Sequence, residues 1–128
     1  MVDDLSQTTP DPRHQKRMTM MQKLFSSSFY QNLDLENLEE HLVEIRDILE
    51  KIPELDASIQ NAAPERPLTE INKVDLAILR LVVFESTYKK TPKKVLINEG
   101  VELAKEFGTE SSPRFVNAVL GKVLLPSA

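Results

Sequence analysis

The stretch Val74-Asp75-Leu76-Ala77-Ile78-Leu79-Arg80-Leu81-Val82-Val83-Phe84 is apolar at nine of its eleven positions. A helix built from it has no wide polar face to give to water, so it belongs in the interior. Its β-branched residues would also suit a strand, but the run exceeds the typical strand of about five or six residues. A helix is therefore expected from a Thr69 cap to about Tyr88, as the buried hub of the fold.

Outward from this hub, helical periods alternate with breakers. Asp11-Pro12, Thr91-Pro92 and Ser112-Pro113 each set an oxygen-bearing side chain before a proline. The oxygen can accept from a first-turn amide, and proline at the first helical position gives up no intrahelical bond, so three helix starts are predicted. The first helix is expected over 12–30, with Met18, Met21, Phe25 and Phe29 as its apolar stripe. A second opens at Asp34, with Leu33 and Leu38 placed as a hydrophobic staple. It carries Leu38, Leu42, Ile45, Leu49 and Ile52 on one face, and Pro53 breaks or restarts it. A short helix over 55–62 stops before Pro64, and 63–68 reads as a linker between two helical halves. Two more helices are expected over 92–107, ended by Gly108 as a left-handed terminator, and over 113–125, closed by Pro126. Three glycines and no alternating Val/Thr/Tyr runs argue against sheet. The expected fold class is all-α: a compact bundle of about six to seven helices in two halves, about 12–62 and 69–125. These halves form one domain over 12–128, preceded by a flexible arm over 1–11.

The chain has 128 residues, 16 basic and 20 acidic, for a net charge of −4. That length suits one domain, which buries roughly two thirds of its unfolded surface without staples. A hydrophobic fraction of 41% with 28% charged residues argues against a disordered chain. The absence of cysteine removes disulfides, thiol catalysis and cysteine-ligated metal centres. No apolar run approaches the ~18 residues of a membrane span, and the acidic start Met1-Val2-Asp3-Asp4 is unlike a signal peptide. A cytoplasmic protein with no membrane partner is expected.

Mild acidity is not the profile of a nucleic-acid binder, but the charge is unevenly spread. Residues 13–23 hold Arg13, Lys16, Arg17 and Lys23 without an acid, a local +4. Residues 34–56 hold nine acids against Arg46 and Lys51, giving 2 − 9 = −7, and residues 73–94 hold six bases against two acids, again +4. On a helical wheel Arg13, Lys16, Arg17 and Lys23 fall within about 120°, largely opposite the Met and Phe stripe. This stripe is either a phosphate-contacting surface or a solvated helix face. His14 falls on the apolar side and is expected to be packed rather than to bind phosphate.

Catalytic patterns are missing. His14 and His41 lie on different predicted helices, with no spacing that supports a metal site. No glycine-rich phosphate loop is present, so no cofactor is expected. Glu99, Glu102 and Glu106 recur at steps of three and four, which reads as an exposed acidic edge without a nucleophile beside it. An enzyme is not expected.

Three segments carry a resemblance. Leu79-Arg80-Leu81 with Phe84-Glu85, then the run from Pro92 to Gly108, then Phe115-Val116-Asn117-Ala118-Val119-Leu120 resemble the NusB family in order and spacing. Arg13-His14-Gln15-Lys16-Arg17 with Lys23-Leu24-Phe25 is similar to that family's arginine-rich first helix. The middle of the chain matches only in helical character, is short for the family and lacks its common tryptophan. His14 stands at a usual arginine, Phe25 at a usual tyrosine, Gly100 at a usual alanine and Ala118 at a usual glycine.

The resemblance implies an antitermination factor that binds boxA-type RNA together with the ribosomal protein NusE, as part of the RNA polymerase antitermination complex on ribosomal operons. It places Arg13, Lys16 and Arg17 in the RNA-contacting stretch and extends that set to Arg114 and Phe115. It places Asp75 against the ribosomal partner, and Asn98 and Glu99 as structural residues joining helices. Read from the residues alone, Phe115 also suits the core, and Asp75 suits a solvated position or a partner of Lys73 or Arg80. The alternatives are a protein–protein adaptor without RNA contact, using the acidic second helix or the fourth-helix face against a basic partner, and the RNA-binding module of an RNA methyltransferase whose catalytic part lies on another polypeptide. A homodimer is left open.

Overall fold

The computed structural model describes residues 11–126. The expected N-terminal arm lies outside them apart from Asp11. Six α-helices follow in order: α1 (Pro12–Ser27), α2 (Arg46–Glu50), α3 (Ile52–Ala62), α4 (Lys73–Tyr88), α5 (Lys93–Phe107) and α6 (Ser112–Leu124). Two 3₁₀ turns, Glu40–Ile45 and Leu68–Glu70, precede α2 and α4. The described residues contain no strand, so the fold is all-α.

The hub sits where its composition demands. Leu76 to Leu79 and Leu81 to Phe84 of α4 are all buried, and α1, α3, α5 and α6 pack around them. Its cap is Asn72 rather than Thr69: the Asn72 side chain accepts from the amides of Val74 and Asp75 at 2.8 and 3.3 Å. Thr69 instead lies in the short 3₁₀ turn.

α1 begins as expected, with Asp11 Oδ1 accepting from the Arg13 amide at 2.9 Å. It stops three residues early. The hydroxyls of Ser27 and Ser28 donate to the carbonyls of Leu24 and Phe25 at 2.7 and 2.6 Å, satisfying acceptors that another turn would have used. Phe29 is consequently 60% exposed, and the buried face is Arg17, Met21, Leu24 and Ser27. Met18 and Phe25 pack only at the core's edge.

The second predicted helix also starts late. Asp34 accepts from the Glu36 amide and the Asn37 side chain, both at 3.0 Å, which closes a local turn instead of a helix. Leu42, Ile45 and Ile48 then reach the core at three-residue steps, the period of the 3₁₀ segment. Pro53 restarts the chain in α3, as its fixed geometry at a first turn allows. The 63–68 linker is pinned to α3, because the Gln60 side chain donates to the carbonyls of Ala63 and Arg66 and accepts from the Leu68 amide.

The two later proline starts hold without their expected caps. Thr91 donates to Glu85 at 2.8 Å, and Ser112 accepts from the Thr109 amide at 2.8 Å. Gly108 ends α5 in extended backbone, φ −93° and ψ −165°, not in the left-handed region. What requires glycine there is room: a Cβ would run into the Ser112 side chain and the Ala104 carbonyl. Gly108→Ala is therefore expected to cost about 1–3 kcal/mol. Gly121, in α6 with nothing near its missing Cβ, should gain up to about 1 kcal/mol on change to alanine. Urea unfolding of both variants checks this, and equal effects would refute the packing account.

Candidate nucleic-acid interface

α1 contributes the basic stripe, and tertiary packing divides it. Arg17 is buried: its guanidinium donates to both oxygens of Glu85 on α4 at 2.9 and 2.6 Å, and lies 3.3 Å from Glu99 on α5. Burial pushes the Glu85 carboxyl up, but the hydrogen bonds from Arg17 and Thr91 outweigh it and hold the group below its ordinary value. Lys23 pairs with Glu44 at 2.7 Å. Arg13 and Lys16 are exposed and, among the described residues, have no ion pair. The charge on Lys16 nevertheless helps Lys23 keep Glu44 ionised.

His14 sits next to this network, half-buried. Its Nδ1 lies 3.0 Å from Glu99 and its Nε2 2.6 Å from Glu106. A neutral imidazole has only one N–H, so only the imidazolium can donate to both carboxylates. The Glu99 hydrogen bond, opposed by burial and supported by Glu106, raises the His14 pKa above 6.5. The expected acidic edge of α5 is thus a pair of anchors for α1. Glu102 pairs instead with Lys105, and Asn98 is exposed with no side-chain hydrogen bond among the described residues, so of the pair Asn98 and Glu99 only Glu99 joins helices.

Arg114 and Phe115 form a separate cluster at the start of α6. Arg114 is exposed beside Thr109, Glu110, Ser111 and Pro113 around a shallow depression. The Phe115 ring is half-buried, with the Arg66 guanidinium 4.4 Å from its centroid. Asp75 is only 4% exposed, which excludes the solvated position. It is not the partner of Arg80, which forms two 2.8 Å bonds with Asp56, nor of Lys73, whose ammonium lies over the Phe29 ring. Burial raises the Asp75 carboxyl, offset in part by the Ser112 hydroxyl and the Arg66 charge, and its Oδ1 has no hydrogen-bond partner. Sequence reasoning missed Glu85 as the carboxylate that claims Arg17. An arginine and a glutamate sixty-eight residues apart carry no pairing signal until α1 and α4 are packed.

Among the described residues no cluster of His, Asp or Glu is arranged to hold a metal ion, and no helix is long and apolar enough to cross a membrane. Residues 6–125 match the family model described as NusB family. The chain belongs to the NusB family. It is 40% identical over 104 residues to the transcription antitermination protein NusB of Lachnoclostridium phytofermentans, covering 80% of this chain and 79% of that one. With the NusB of Chloroflexus aggregans it shares 52% identity over 73 residues, 55% of this chain and 49% of that protein. The chain thus spans about half the length of that relative. The solved structure of T. maritima NusB is similar with a TM-score of 0.76 and 27% identity, covering 91% of this chain and 93% of that one.

Two outcomes follow from this anchoring of α1. Arg17→Met should cost about 3 kcal/mol by leaving the Glu85 carboxylate unpaired, and Glu85→Gln in the same chain should restore part of it. Simple additivity in urea unfolding would contradict the pairing. For His14, the raised folded pKa means that its stabilisation is complete below about pH 6.5 and is lost as pH rises through the folded value. The melting-temperature gap between wild type and His14→Gln should therefore shrink from about pH 6 to about pH 9. A gap independent of pH would show that His14 is not charged in the folded chain.

Proposed function

We propose that this chain is a non-catalytic, RNA-binding transcription antitermination factor. In this reading it works in the cytoplasm, holding boxA-type RNA with the ribosomal protein NusE in the RNA polymerase antitermination complex on ribosomal operons. One observation carries the proposal: in a NusB-family chain, α1 is fastened through its inward arginine while Arg13 and Lys16 face outward without carboxylate partners. The name of the relatives, transcription antitermination protein NusB, supports the process.

Each candidate residue then has a role set by its surroundings. Arg13 and Lys16 take phosphates, and Arg114 supplies a third cation on α6. Arg17 positions α1 instead of meeting RNA, since its donors are committed to Glu85 and Glu99. Lys23 joins by exchanging Glu44 for a phosphate. Phe115 offers the free part of its ring to an unpaired base, a stack worth about 1–3 kcal/mol. Asp75 Oδ1 is unsatisfied but buried, so it meets a donor of NusE only when the side chains around it open on binding. The exposed acids Glu36, Glu39, Glu40, Asp47 and Glu50 also favour a contact with a basic protein.

Fluorescence anisotropy of labelled single-stranded boxA-type RNA tests the reading. Three free cations predict a log–log salt slope near −0.7 × 3, about −2. The double variant Arg13→Gln with Lys16→Gln should bind more weakly and with a flatter slope. A salt-independent affinity, or one unchanged in the double variant, would refute RNA contact through α1. Pull-down of NusE before and after nuclease treatment separates direct protein contact from an RNA bridge.

A further inference from the structure

The sequence places its second basic run, Lys89, Lys90, Lys93 and Lys94, far from the first helix, and folding brings part of it back. α1 lies along α4 so that its N-terminal half meets the last turn of the hub. Between them is a cleft of about 260 Å³ with Arg13 and Lys16 on one rim and Lys89 on the other. Its floor is Met20, Leu81 and Phe84. The wall carries one carboxylate, Glu85, and that group is already met by two bonds from Arg17 and one from Thr91. Among the described residues, Arg13, Lys16 and Lys89 are in no contact ion pair, although Lys89 acts on Glu85 and Lys16 on Glu44 at longer range, so the opening is ringed by three cations over an apolar base.

We propose that this cleft is a nucleotide pocket that receives one splayed-out base of a bound single-stranded RNA. The base lies on Met20, Leu81 and Phe84, and its flanking phosphates are held by Arg13, Lys16 and Lys89. This rests on the RNA-binding reading above and adds to it a base-holding site and a cation, Lys89, from α4. The chemistry is that of single-strand binding, where a cationic rim tracks the backbone and an apolar or aromatic surface takes the base without reading its edge. The thioether of Met20 and the ring of Phe84 both suit a base face. The volume is below the range of about 300–1,000 Å³ typical of drug-sized ligands, which fits a single base better than a whole nucleotide cofactor.

Three measurements on the full chain with short single-stranded RNA test it. In the wild type carrying methyl-labelled methionine, the Met20 resonance should shift on adding RNA, whereas Met21, 2% exposed in the core, should stay in place. Lys89→Gln should weaken binding and remove about 0.7 from the salt slope, which in the wild type should then be near −3. Lys105→Gln, on an exposed lysine outside the cleft, should change neither. An RNA series with one abasic nucleotide moved along the strand should show a single position where affinity drops about ten-fold or more. If RNA binds but Met20 does not move, or no abasic position matters, the pocket is refuted and RNA binding through α1 stands. If Lys89→Gln binds like wild type, the proposed rim is refuted. If the wild type binds no RNA at low salt, both the pocket and the RNA reading fall.

Discussion

α4 has almost no surface fit for water, and the rest of the chain is arranged around that fact. Eight of its side chains from Leu76 to Phe84 are buried, with Arg80 the only residue in that span left partly open. Burying a Leu, Ile or Phe side chain is worth about 1.5–3 kcal/mol each, so leaving any side of α4 uncovered would forfeit several such terms. Each neighbouring helix therefore presents its own apolar face to α4. Met21 and Leu24 come from α1, Leu55 and Ile59 from α3, Leu96 and Leu103 from α5, and Val116 and Leu120 from α6.

Hydrophobic burial brings these helices together, while polar contacts set the azimuth of α1. A helix with a purely apolar inner face could rotate by a fraction of a turn at little cost. Arg17 removes that freedom, because its planar guanidinium meets Glu85 through two nearly parallel bonds and reaches Glu99 as well. His14 adds contacts to Glu99 and Glu106 one turn earlier. With these inward groups fixed, Arg13 and Lys16 are turned outward. The same contacts that fasten α1 thus decide which of its cations remain free for a phosphate.

The fold class was legible because it depends on short-range signals. The long apolar run, the prolines at 12, 53 and 113 and the few glycines each act within a few residues of where they stand. Boundaries were less legible where a side chain had a local alternative. Ser27 and Ser28 closed α1 early by bonding its carbonyls, Asp34 closed a turn on Asn37, and Asn72 displaced Thr69 as a cap. Gly108 was correctly marked as a helix end, but for its missing side chain and not for a positive φ.

The amino-acid sequence alone determined that the chain is helical, that residues 74–84 form its interior and that its charge is divided into basic and acidic segments. Periodicity and composition are enough for that, since each helix buries whatever apolar face it carries. Only the tertiary structure decided which charges are spent and which are free. Arg17 and Arg13 look alike on a helical wheel, yet one is claimed by carboxylates from α4 and α5 and the other is not. Likewise Lys89 belongs to a different segment from Lys16 until α1 packs along α4 and sets both on one cleft. Charge pairing depends on distances of a few ångströms between remote residues, and those distances exist only once the core has formed.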